Sequence, residues 1–302
     1  RHSNNLNISS NVFNAYYQQA YSSNNTIQNN TFNGPITGGA TVIGSNFGSG
    51  NKIIKNNIDG KSNGDFYNRI NNGFDDGIAF QDESGGIIQE NIVKNNWDCG
   101  IETVGVISGF QITGNYIKNS PICAIGAWYW SSWLNNTISN NIVEDVGSMF
   151  VFFRYFALRI ENAFELGLPA ERYVYFKDNI FSGNDILSLK RPSPMGDTSS
   201  FFYFLKNSIS ASNNQERSVT PSDYVLENNQ FINNDFSITT PGPWIQVTSM
   251  AVDGGRNICS PFGDSSKDAL KCNSVPSGAI QLQAMFDPDG ASGPAQPQQV
   301  AA

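Results

Sequence analysis

The chain has 302 residues, of which 39% are hydrophobic and only 15% charged, and its formal net charge is −8. That apolar share supplies a sizeable core, while an acidic surface without a Lys/Arg cluster disfavours a nucleic-acid backbone or an anionic membrane surface as partner. No apolar run approaches the roughly 20 residues of a membrane span, so no membrane insertion is expected, and a lone His2 excludes His-built metal sites and Ser/His/Asp triads.

The first residue, Arg1, already lies inside a repeat-like segment, so a signal peptide or N-terminal cap is expected to precede it. Residues 1–33 read as two short coils with Asn11 and Asn30 in register. Residues 34–50, rich in Gly and Thr, read as a short strand at 40–43 between turns. Residues 60–69 form an insertion, of the kind that emerges on one face of a solenoid.

From 73 to 146 the pattern is regular. Asn72-Gly73-Phe74-Asp75-Asp76-Gly77-Ile78-Ala79-Phe80 can be laid over Asn95-Asn96-Trp97-Asp98-Cys99-Gly100-Ile101-Glu102-Thr103, and both over Asn119-Ser120-Pro121-Ile122-Cys123-Ala124-Ile125. An apolar residue three places before an Asn recurs along the chain: Ile8/Asn11, Ile27/Asn30, Ile54/Asn57, Ile88/Asn91, Ile112/Asn115, Ile138/Asn141, Phe176/Asn179, Phe204/Asn207 and Leu226/Asn229. The unit is roughly two dozen residues, the period of solenoids. Short runs of Ile, Val and Phe punctuated by Asn, Gly and Ser indicate strands and no helical period. One such unit cannot bury its own apolar face, so units must stack and share a core. An Asn at the same place in each coil can then hydrogen-bond its neighbours about 4.8 Å away in a ladder, and Asn tolerates the left-handed backbone of a sharp corner.

After 153 the spacing stretches. Residues 154–167 carry apolar positions and a terminal Gly that suit a short amphipathic helix or lid. Residues 190–197 form a second insertion, coils resume at Phe201 and Tyr224, and 244–247 reads as the last strand. The organisation expected is a β-helix over 1–258, a C-terminal cap over 259–289 and a flexible tail or linker over 290–302. The fold class expected is all-β: a single-stranded right-handed parallel β-helix, a solenoid with loop and short-helix insertions.

With these residues in view, the Asn-Asn-x-Ile repeats interleaved with Asp-Gly-Ile resemble the right-handed β-helix superfamily of pectate-lyase-like proteins, polygalacturonase-like hydrolases and NosD-like repeat proteins. The resemblance covers roughly residues 4–260 and implies the fold. Lyases, hydrolases, epimerases, phage fibres and adhesins share that fold, so it does not choose an activity.

Asp75 and Asp98 fall at the same place in adjacent coils, with Asp76 and Glu102 nearby. Carboxylates stacked about 5 Å apart repel, so either one holds a proton or a cation such as Ca²⁺ bridges Asp75 and Asp98. Asp-Asp-Gly is also ordinary turn chemistry. Arg154 and Lys190 are the candidate bases for a lyase. Trp128, Tyr129, Trp130 and Trp133 form an aromatic run that either stacks on sugar rings or fills space beneath the 154–167 insertion. Cys99 and Cys123 occupy equivalent places and form either a disulfide or a stacked pair of buried thiols, and Cys259 and Cys272 are expected to staple the C-terminal loop.

Low charge, abundant Asn, Ser and Gly, and candidate disulfides point to an extracellular, cell-surface or periplasmic location. Sequons at Asn7, Asn24, Asn29 and Asn135 would matter only in a eukaryotic secretory route. Two readings follow. One is a polysaccharide-binding protein acting as a lyase or glycoside hydrolase in a lateral groove. The other is a non-enzymatic adhesive or fibre protein that assembles as a homo-oligomer or filament.

Overall fold

The computed structural model of the chain describes residues 4–34, 39–63, 73–153 and 174–189, together with separate strands between 202 and 280. Successive turns of the chain each add a strand to three sheets. A nine-stranded sheet runs from Asn7–Ser9 to Ile258–Cys259, an eight-stranded sheet from Val12–Phe13 to Asp235–Phe236, and a broad twelve-stranded sheet contains the long strands Phe74–Ser84, Cys99–Ser108 and Cys123–Leu134. Among the described strands every pairing is parallel except that of Ala279–Ile280 with Ala251–Gly255. This is the right-handed parallel β-helix expected, the hand being the one that parallel crossovers adopt.

Period-two alternation explains the short strands. In the nine-stranded sheet the middle residues Ile27, Ile53, Ile88, Ile112, Ile138 and Phe181 stand in one column, and all are buried. Phe32, Ile58, Val93, Ile117, Val143 and Ile186 do the same in the eight-stranded sheet. Ile43, Ile78, Ile101, Ile125 and Phe150 complete the triangle from the broad sheet. Each burial contributes about 1.5–3 kcal/mol, and each side chain gains it by touching its counterparts in the coils on either side.

The corner between the two narrower sheets carries the column Asn11, Asn30, Asn56, Asn91, Asn115, Asn141 and Asn184. From Asn30 onward each Oδ1 accepts the backbone N–H of the preceding member at 2.9–3.1 Å and its side-chain N–H at 2.9–3.2 Å. From Asn30 onward the second side-chain hydrogen goes to a carbonyl of the preceding coil, for example from Asn91 to Ile53 O at 2.8 Å and from Asn141 to Ile112 O at 2.9 Å. Every polar atom of the amide is thereby satisfied inside the core. The left-handed residue of the corner is the one before the Asn, as at Asn29, Lys55, Glu90 and Asn140.

A second column, Asn25 over Asn51 and Asn136 over Asn179, lines the corner leading from the broad sheet into the nine-stranded one. It is interrupted at Gly86 and Phe110. A Cβ on Gly86 would lie 2.3 Å from the Phe110 ring, so only glycine admits that ring. Deprived of the next amide, Asn51 donates to the carboxylate of Glu83, which also accepts from Ser45 Oγ at 2.7 Å.

Several expectations are corrected. The ladder member in the third coil is Asn56, whereas Asn57 is exposed and begins the strand Asn57–Asp59. Phe176/Asn179 belongs to the second column, because Phe176 pairs with Trp133 and Asn179 follows Asn136. The short strand at 40–43 extends over Gly39–Asn46, and strands continue past 244–247 as far as Ala279–Ile280. Asn207, Asn229 and the segments 154–167 and 190–197 lie outside the described residues.

Replacing Asn115 by Ala removes the acceptor of two buried N–H groups of Asn91, and each unsatisfied donor costs about 1–3 kcal/mol. Asn115→Ala is therefore expected to lower stability by at least about 2 kcal/mol, and Asn57→Ala by less than about 0.5 kcal/mol, read as urea midpoints.

Candidate functional site

Ile78 of the strand Phe74–Ser84 pairs with Ile101 of Cys99–Ser108. This register sets Asp98 against Asp75, and the Asp98 N–H donates to Asp75 O at 2.8 Å. The glycine after the acids is required in both coils. A Cβ at Gly77 would stand 2.3 Å from Val93 Cγ1, and one at Gly100 2.3 Å from Ile117 Cγ2. Bare backbone pressed onto the core at these two points carries the acidic residues just ahead of them.

Side-chain oxygens of Asp76, Asp98 and Glu102 all lie within 4.8 Å of one another. Asp76 and Asp98 are buried, while Asp75 and Glu102 are half-buried. Burial pushes the Asp76 carboxyl well above the usual carboxylate range, and the negative charges of Glu102, Asp98 and Asp75 push it further, against a weaker opposing contact from the Cys99 N–H. That N–H points to Asp76 Oδ1 at 3.4 Å. Proton affinity in the cluster is thus raised at Asp76, and Asp75 contributes charge without joining the convergent trio.

Cys99 and Cys123 form a disulfide between adjacent coils, with Cα atoms 4.7 Å apart. The bond closes a loop of 24 residues, worth about 3 kcal/mol in the chain-entropy account. Asp98 Oδ1 lies 3.1 Å from Cys99 Sγ, so the staple abuts the acids it holds in line. Because both sulfurs are in the bond, the neighbouring set Asp98, Cys99 and Cys123 offers no thiolate to a metal. Asp76, Asp98 and Glu102 supply only oxygen, the donor set of hard cations such as Ca²⁺.

The aromatic run divides. Trp133 is not a sugar platform: it is fully buried, its indole N–H donates to Thr103 Oγ1 at 2.9 Å, and it packs on Phe150, Phe176 and Phe181. The core beneath the sheet has claimed its ring. The backbone register pairs Gly126 with Glu102 and Trp128 with Val104, and the side chains of Trp128, Tyr129 and Trp130 lie outside the described residues. So do Arg154, Lys190, Cys272 and the Cys259 side chain.

Glu83 is the buried acid that the sequence reading misses. Burial raises its carboxyl above the ordinary value, partly offset by hydrogen bonds from Ser45, Asn51 and Gly48. The available signal is Gly86 standing where the second column should carry Asn. The role of Glu83 is to end that ladder.

Since folding favours protonated Asp76, this group adds stability at pH below the unfolded-state carboxylate value, about 3.8–4, and that contribution is lost as pH rises through the raised folded value. Asp76→Asn is therefore expected to be more stable than the wild type at pH 7–8, with the difference closing below about pH 4. Thermal midpoints across this pH range test it.

Residues 5–143 match the family model described as the right handed beta helix region. No curated protein matches the chain in sequence. Among solved structures, the Agl-KA catalytic domain is similar over 88% of this chain and 44% of its own, at 15% identity and a TM-score of 0.46. The catalytic unit of a thermostable GH87 alpha-1,3-glucanase from Streptomyces thermodiastaticus is similar over 87% and 49%, at 12% identity and a TM-score of 0.38. The fluoroquinolone resistance protein QnrB1 is similar over 78% and 82%, at 10% identity and a TM-score of 0.24. The chain spans less than half the length of the first two, and likeness at these identities concerns the fold alone. From its three parallel sheets and this matched region, the chain is a right-handed parallel β-helix protein.

Proposed function

We propose that this protein binds a polysaccharide on the broad-sheet side of the solenoid and hydrolyses its glycosidic bonds at Asp76, Asp98 and Glu102. The observation that carries this reading is the buried Asp76 carboxyl, its proton affinity raised by its surroundings, with two more carboxyls inside 4.8 Å. Glycoside hydrolysis needs one carboxylic acid to protonate the departing oxygen and an ionised carboxylate beside it, and environments that drive the two apart in pKa provide both at one pH. Asp76 is the proton donor in this scheme. Asp98 and Glu102 are the partners that stabilise positive charge at the sugar, their short separation from Asp76 being that of carboxyl pairs with no water between them. The Cys99–Cys123 bond holds the two coils that carry the acids.

Elimination would instead require a basic side chain. A proton on Asp76 and a cation among the three acids are competing ways to relieve the same repulsion; a bound Ca²⁺ would turn the cluster into a uronate-binding centre. An extracellular, cell-surface or periplasmic location accords with the disulfide. No helix of the described residues is long and apolar enough to cross a membrane.

The test is a panel of neutral and uronate polysaccharides, alpha-1,3-glucan among them, assayed for product release with Ca²⁺ and with chelator. Hydrolysis should survive chelation and fall about 10²–10⁴-fold in Asp76→Asn, while binding is retained. Unchanged product release in Asp76→Asn/Asp98→Asn would remove the site. Activity that disappears with chelator and returns with Ca²⁺ would replace the proton-sharing scheme with the cation-bound one.

A further inference from the structure

Left-handed backbone at the coil corners is carried almost everywhere by Asn, Asp, Ser, Lys, Glu or Gly. At one corner it is carried by two aromatic residues, Tyr21 at φ 51° and Phe47 at φ 57°. They hold the same place in consecutive coils, since Ala20 pairs with Asn46 and the Tyr21 N–H donates to Asn46 O at 2.8 Å. Their rings are stacked, with centroids 5.0 Å apart and planes at 16°. Tyr21 is 59% exposed and Phe47 half-buried. In the next coil the place belongs to Asp82, also left-handed.

A side chain with Cβ loses roughly 1–2 kcal/mol in this conformation, and an aromatic ring makes none of the local hydrogen bonds by which Asn or Asp recovers it. The corner alone would be better served by Asn, as it is elsewhere in the chain. Strain of this kind persists only where the surrounding structure imposes it, and residues that carry it cluster at active sites and ligand clamps.

The surroundings indicate the kind of ligand. On one side run Ser23, Ser49 and Ser84, bridged in register, with Ser49 Oγ donating to Ser23 Oγ at 3.2 Å. On the other side the pairing of the two strands ends at Asn46 and Gln81. Two flat apolar rings bordered by hydroxyls and amides complement a ligand with an apolar C–H face and a polar rim, which describes a pyranose ring. A lipid or an apolar protein surface would call for aliphatic neighbours that these flanks do not provide.

We propose that Tyr21 and Phe47 form a carbohydrate-binding platform, separate from the acid cluster, that stacks a sugar ring of a neutral polysaccharide. Asp82 lies six residues along its strand from Asp76, about 20 Å away, so the platform anchors a chain rather than cleaving it. The choice of ligand rests on the polysaccharide reading above; the binding itself is measured without turnover.

Titration calorimetry with soluble neutral gluco-, xylo- and manno-oligosaccharides tests the platform on the wild type and on Tyr21→Asn, Phe47→Asn and Tyr21→Phe. Affinity should fall about tenfold or more in each Asn variant at Tyr21 or Phe47, with the thermal midpoint unchanged or raised because Asn suits the left-handed corner. Tyr21→Phe, which keeps the ring, should bind within about twofold of the wild type. Unaltered affinity in the Tyr21→Asn/Phe47→Asn double variant, or no oligosaccharide binding by the wild type, would overturn the platform. A protein that binds through these rings yet cleaves nothing would overturn the hydrolytic reading and leave the platform standing.

Discussion

One side-chain amide per coil keeps this molecule in register. A strand shifted by a single residue would turn its whole apolar set outward, and strands as short as Ile87–Gln89 have too few ladder bonds to resist such a slip by themselves. The buried amide supplies the missing constraint, because its oxygen accepts two N–H groups of one neighbouring coil and its own hydrogens find partners both in the next amide and in a carbonyl. Displaced by one position, those groups would be buried without partners. Where the second column lacks its amide, Glu83 receives the orphaned N–H of Asn51 and Phe110 fills the space over Gly86, so even the interruption is satisfied.

The same constraint creates the chemistry. Stacking like on like favours isoleucine, which gains contact, and asparagine, which gains hydrogen bonds. It penalises carboxylates, and the fold has no freedom to separate them once Ile78 and Ile101 are aligned. Asp76, Asp98 and Glu102 are therefore held together at a cost in electrostatic energy, which raises the proton affinity of the Asp76 carboxyl. A local conflict that the rest of the structure enforces is the kind of place where function is expected. The corner at Tyr21 and Phe47 is a second such conflict, in backbone conformation rather than charge.

Much of this was legible in the residues, and the remainder has identifiable causes. The repeat, the parallel pairing, the match of Asp75 with Asp98 and the proximity of Cys99 to Cys123 all follow from apolar residues and Asn recurring at fixed separations. Lys55-Asn56-Asn57 offers two adjacent amides, however, and spacing cannot say which one turns inward; the packing of Ile53 decides for Asn56. Phe176/Asn179 has the right spacing for one column and the register of the other, because the long strand Cys123–Leu134 pairs with two successors. Asp76 outranks Asp75 only once burial is known. Trp133 looks like its neighbours in the run, and only three-dimensional packing against Phe150, Phe176 and Phe181 identifies it as core. Nothing in the local sequence marks Tyr21 and Phe47 as left-handed, since aromatic residues are poor predictors of that conformation.

The most direct test of the claim that enforced register brings these carboxyls together is a ¹³C NMR titration of the Asp76 side chain, with Asp59 as an internal comparison. Asp59, although partly desolvated, is held below its ordinary value by hydrogen bonds from Asn95 and Lys61. The account predicts that Asp76 keeps its proton after Asp59 and the exposed carboxyls have ionised, and that Asp98→Asn lowers its midpoint. An Asp76 carboxyl that titrates in the ordinary range and ignores Asp98→Asn would contradict it.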